Sequence, residues 1–126
     1  MRREEKHGTT HQCCWHGGDG VVGLRDVVGF EYGKQLIRAG SSPGANYEEA
    51  EVCGSQNDSI YKVRTCLKES KETRYWLLLS KAAFGESELN TWLFGEVNEL
   101  IPIFNSMIAR AVKRSQAAES QNNQSK

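Results

Sequence analysis

No stretch of this chain approaches the roughly 20 consecutive apolar residues that a membrane-spanning helix needs, so no membrane partner is expected. An excess of one charge is missing too. Sixteen Lys and Arg balance sixteen Asp and Glu, which removes the global field that steers a strong nucleic-acid binder but leaves room for a local basic face. The charged start, MRREEKHGTTHQ, is not followed by a long apolar core, so it is not a secretory signal and a cytoplasmic location is expected. Four cysteines in such a chain (Cys13, Cys14, Cys53 and Cys66) are expected as free thiols rather than a disulfide framework. No nucleophile–base pair stands at a usable spacing, and GGDG at 17–20 is too short for a phosphate-binding loop. Nor does the alternation of a half-buried strand occur anywhere, so the expected class is all-α.

What is present fits one small domain of 126 residues with a thin core, since only 38% of residues are hydrophobic. Residues 1–29 carry six glycines and are expected to form an atypical, poorly ordered segment. Residues 30–114 are expected to fold as a helical bundle, and the Ser, Gln, Asn and Ala of 115–126 as a disordered polar tail. Three helices are predicted in the middle region. The first spans about 30–53, with Leu36, Gly40, Pro43, Tyr47 and Ala50 on one face. The second begins near Asn57 or Asp58 and runs to about 83, with Ile60, Val63, Cys66, Leu67, Leu77 and Leu78 as its stripe. Ser70 and Arg74 fall on the same line. The third covers about 87–114, with a broad face that includes Leu93, Val97, Ile101, Phe104 and Ile108. Gly85 serves as the stop between the last two, and short connections predict antiparallel neighbours.

One of only two prolines sits inside the first predicted helix, between two glycines, in RAGSSPGANYEEA. Small residues along a face let another backbone approach, and Pro43 deletes one internal hydrogen bond. Each costs a helix interior about 1–3 kcal/mol, so a packing gain must offset it or the helix breaks there. Gly40, Pro43, Gly44, Asn46, Tyr47, Arg74 and Trp76 are accordingly taken as packing or interface residues, and Trp92 as core or interface. An ion pair with Glu48 or Glu49, or a position at an oligomer interface, would accommodate Arg74 on its apolar stripe.

Two clusters carry candidate chemistry. His7, His11, Cys13, Cys14 and His16 are metal-ligand types. Adjacent cysteines with single-residue gaps to His11 and His16 fit a tetrahedral zinc site poorly, so no metal or cofactor is assigned. Arg64, Lys68 and Lys71 fall within about 60° on a helical wheel, with Tyr75 among them. Basic residues interleaved with an aromatic track a phosphate backbone and stack a base; the alternative is a solvated face, with Lys68 paired to Glu72.

YGKQLIRAGSSPGANYEEAE, NDSIYKVRTCLKESKETRYWLLLSKA and ELIPIFNSMIARAVK resemble consecutive helices of the bacterial four-helix-bundle family. That family is known for members encoded in intervening sequences of 23S ribosomal RNA genes. The resemblance covers residues 30–114 and is carried most specifically by GANYEEA and LKESKETRYWL. It implies an antiparallel bundle that assembles into a ring-like homo-oligomer, commonly a pentamer, with no catalytic centre and no cofactor, and an association with RNA. The chain departs from the family where a first long helix should precede Tyr32. A three-helix remnant leaves an apolar face uncovered and is expected to self-associate, aggregate or fold poorly. The expected function is a non-catalytic oligomeric scaffold that binds RNA or a partner protein. The alternatives are a truncated family member without independent function and a Cys/His metal-binding or redox protein.

Overall fold

The computed structural model describes residues 24–124, which form three helices and, among the described residues, no strand. Helix α1 spans Leu24–Glu51, α2 Gln56–Phe84 and α3 Glu88–Gln124. The all-α expectation is met. The ends of α2 follow from local chemistry. Ser55 is extended (φ −135°, ψ 151°), and its hydroxyl accepts from the Asp58 N–H at 3.1 Å, satisfying a donor that the first turn leaves free. At the other end Gly85 adopts φ +91°, which glycine tolerates best, and its N–H bonds the Lys81 carbonyl at 3.0 Å. Two residues on, the Ser87 hydroxyl accepts from the Asn90 N–H at 3.1 Å and starts α3.

Two segment boundaries correct the sequence reading. Helix α1 begins at Leu24, inside the segment expected to lack order through residue 29. Gly29 lies against the Phe84 ring, where an added Cβ would sit 3.6 Å from Cζ, so a tertiary contact overrides weak helix propensity. Residues 1–23 lie outside the described residues. Helix α3 continues to Gln124, through most of the expected disordered tail. Extending an existing helix fixes one residue per new bond, so good helix formers such as Ala117, Ala118 and Glu119 prolong it without packing. Nor does Pro43 break α1; the helix is continuous around it.

Contacts between helices show the antiparallel order. Along α1 and α2, Arg38 meets Glu69 and Glu72, the Pro43 carbonyl meets Cys66, and Glu49 meets Lys62. Along α2 and α3, Gln56 reaches Ala111, Arg74 reaches Asn98, and the Leu77 carbonyl accepts from Asn90. Helices α1 and α3 each pack along α2, and their backbones do not approach one another closely. The buried apolar residues are Ala39, Ala50, Val63, Cys66, Leu77, Val97, Ile101 and Phe104. Small side chains dominate the α1 contribution, and the core is as thin as the composition predicts.

Candidate functional site

Two surfaces follow from this arrangement. The first is the side of α2 that faces away from its neighbours. Val63, Cys66, Ser70 and Leu77 are turned inward, so residues half a turn away face out. Arg64, Lys68, Lys71 and Tyr75 are all exposed there, on the one face the sequence assigned them. Among the described residues none of the three cations pairs with a carboxylate. Glu72, the expected partner of Lys68, instead accepts from Arg38 and, at 3.4 Å, from the Trp76 indole N–H. Tyr75 meets Trp76 edge-on at 5.7 Å between ring centres, which braces its ring while leaving it exposed. Tyr61 and Leu78, three residues beyond either end of the row, share the face and are exposed as well. Tyr61 went unassigned in the sequence, though its spacing of three from Arg64 marks it.

The second surface is an open groove of about 780 Å³ between α1 and α3, floored by α2. Ile37, Gly40 and Gly44 line one wall, Leu100 and Ile103 the other, and Ser70 and Leu77 the floor. Its lining is apolar apart from a few hydroxyls and two rim carboxylates, Glu48 and Glu96. Ile37 is 73% exposed and Ile103 52%. Large apolar side chains left in water at that level mark an interaction surface. Ser70 Oγ is fully buried and, among the described residues, has no hydrogen-bond partner, an unmet bond costing on the order of 1–3 kcal/mol.

The packing residues read from the sequence divide. Gly40 approaches α2, with Thr73 Cγ2 3.8 Å from where a Cβ would stand, and Pro43 is buried. Gly44 faces open space. Asn46 donates to the carbonyl and hydroxyl of Ser42, at 2.9 and 3.1 Å, within its own helix. Tyr47 packs half-buried against the core cluster that Ala50, Val63, Cys66 and Phe104 form. Arg74 does not reach Glu48 or Glu49; it meets the Asn98 side chain at 3.5 Å, because Glu49 is taken by Lys62 and α1 lies on the opposite flank of α2. Trp76 stacks edge-on with Tyr32 at 5.6 Å, and Tyr32 with Phe84 at 5.5 Å, joining α1 to the end of α2. Trp92 is 60% exposed, so it is no core residue.

His7, His11, Cys13, Cys14 and His16 lie outside the described residues. Among the described residues there is no histidine and no group of three His, Cys, Asp or Glu placed to hold a metal. Cys53 and Cys66 are free. Burial raises the Cys66 thiol above its ordinary range, so it stays protonated, and its Sγ donates to the Pro43 carbonyl at 3.2 Å. The hydrogen bond to Glu49 raises Lys62, and the hydrogen bond from Lys81 lowers Glu86. These are ordinary effects of ion pairs at helix ends. No described helix is long and apolar enough to cross a membrane.

No family model matches the chain, and no curated protein does. Among solved structures, the chain is similar to a crystal structure of a protein of unknown function from Bacteroides thetaiotaomicron, of the S23 ribosomal protein family. The two are 35% identical with a TM-score of 0.58, over 61% of this chain and 72% of that one.

Proposed function

The chain belongs to the S23 ribosomal protein family, and from that premise we propose that it is a non-catalytic, self-associating helical module that binds RNA through the outer face of α2. The family's ribosomal name and the resemblance to proteins of 23S rRNA intervening sequences point to the same class of ligand. The observation that carries the reading is that Arg64, Lys68 and Lys71 share an exposed face with Tyr61 and Tyr75 while, among the described residues, no carboxylate neutralises them. Cations in a row match a phosphate backbone, and exposed rings beside them offer stacking worth about 1–3 kcal/mol per base. A net charge of zero makes this a local contact rather than a long-range field. Self-association is supported by the apolar groove, which the described residues of a single chain leave in water. An RNA ligand places the module in the cytoplasm.

The test is binding of single-stranded RNA, read by fluorescence anisotropy across a salt series. Three phosphate contacts predict a slope of log Kobs against log salt of about −2. Arg64→Glu with Lys68→Glu should abolish the salt-dependent binding while leaving the circular dichroism unchanged, since both side chains are exposed. Equal affinity in wild type and double variant overturns the assignment of the face. A folded wild type with no RNA affinity overturns RNA as the ligand and leaves an acidic protein partner, or a chain without independent function.

A further inference from the structure

The two seams that α2 makes with its neighbours differ in charge. Between α1 and α2 the cations that reach across are neutralised: Arg38 meets Glu69 and Glu72, and Lys62 meets Glu49. The seam between α2 and α3 is the opposite case. Arg64, Leu67, Lys71, Arg74 and Leu78 recur at three and four residues, so they share one row of α2. Arg74 meets Asn98, which places that row beside α3. Among the described residues Arg64, Lys71 and Arg74 have no carboxylate partner.

The adjoining side of α3 supplies no negative charge. Thr91 and Asn105 stand seven residues either side of Asn98, on its face, and both are exposed. Of the two carboxylates within this stretch, Glu96 lines the groove. Glu99 lies on the far side of α3 from the buried Val97, Ile101 and Phe104. Arg74 itself is half-buried, and its one bond among the described residues is to Asn98 Oδ1 at 3.5 Å. The Asn98 Nδ2 donates to the Phe94 carbonyl at 2.8 Å, which leaves that oxygen to accept. A half-buried guanidinium beside a single neutral acceptor lacks the anion that ordinarily offsets its desolvation. Its planar fork of donors matches a phosphate.

We propose that the RNA strand runs along the seam between α2 and α3, with Arg74 as a fourth phosphate contact. The strand's backbone lies on Arg64, Lys71 and Arg74, a row about 15 Å long. Its bases turn toward the neighbouring row of Tyr61, Lys68 and Tyr75, spaced seven residues apart on the outer face of α2. None of the seam residues lines the groove, so this path does not depend on what covers the groove. The inference rests on the RNA reading above and adds to it the flank the strand follows and the residue that anchors it there.

The same anisotropy series tests it on the full chain. A fourth phosphate contact steepens the expected wild-type slope from about −2 to about −3. Arg74→Gln keeps a donor for Asn98, and should return the slope to about −2 and weaken binding by about tenfold. Asn105→Lys, an exposed change on α3, should tighten binding and steepen the slope by about 0.7; Asn105→Glu should do the reverse. Lys62→Gln, on the α1 side, should leave both quantities as they were. Should Arg74→Gln unfold the chain by circular dichroism, the two Asn105 variants decide. If the folded seam variants bind as the wild type does while Arg64→Glu with Lys68→Glu still abolishes binding, the seam is overturned and the outer face stands. A loss in Lys62→Gln as large as that in Arg74→Gln overturns the choice of flank. A folded wild type without RNA affinity overturns both readings.

Discussion

Replacing Pro43 with alanine should make the fold more stable, and the size of the effect follows from its position. Pro43 is buried inside a continuous α1, where the missing N–H cannot bond the Ala39 carbonyl. Against alanine, proline costs a helix interior about 3 kcal/mol. The substitution also removes two ring methylenes from a buried position, a loss of about 0.8 kcal/mol each. Cys66 still donates to the carbonyl of residue 43, a backbone atom that the change leaves in place. The net is a gain of about 1 kcal/mol, or about 4–8 °C in Tm for a domain near this size. Urea unfolding followed by circular dichroism reads it as a higher midpoint at an unchanged m-value. Wild type and variant are compared at matched concentrations, because self-association would itself add stability. A loss of 1 kcal/mol or more would refute the reasoning, by showing that the ring holds packing worth more than the helix regains.

Leu77→Ala should destabilise the fold by about 2–3 kcal/mol, the low end for a fully buried leucine, because the adjoining groove gives neighbouring side chains room to relax; chemical denaturation checks it. The Lys81–Glu86 pair, 2.7 Å apart across the α2–α3 turn, should leave a mark at low pH. Glu86 has its folded pKa lowered by the hydrogen bond from Lys81, so its contribution is present above the ordinary carboxylate range and is lost as pH falls through the folded value. Glu86→Gln should flatten that part of a stability–pH profile and leave the neutral region nearly unchanged; an identical acid limb would remove the pair from the account.

The three helices were legible because their signals are local. Ser87 and Gly85 mark ends by their own chemistry, and the spacing of Val63, Cys66 and Leu77, or of Val97, Ile101 and Phe104, sets the buried face whatever the partner. The row of Arg64, Lys68, Lys71 and Tyr75 was legible for the same reason, since four residues on one helix share a face by periodicity alone. The extent of α1 and α3 was not. Gly29 is helical because Phe84, more than fifty residues away, lies on it, and α3 outruns its packing because elongation needs none.

Pairings between helices belonged to the tertiary structure. Sequence offered Arg74 to Glu48 or Glu49, and Lys68 to Glu72; the fold gave Glu49 to Lys62 and Glu72 to Arg38. Which carboxylate meets which cation depends on the rotation of each helix about its axis, and no periodicity fixes that. The glycines around Pro43 make the same point. Sequence determined that this stretch of α1 would be small-sided. Only the packing decided that Gly40 meets α2, that Pro43 is buried and that Gly44 opens onto the groove, because a helix has several faces and its neighbours choose among them.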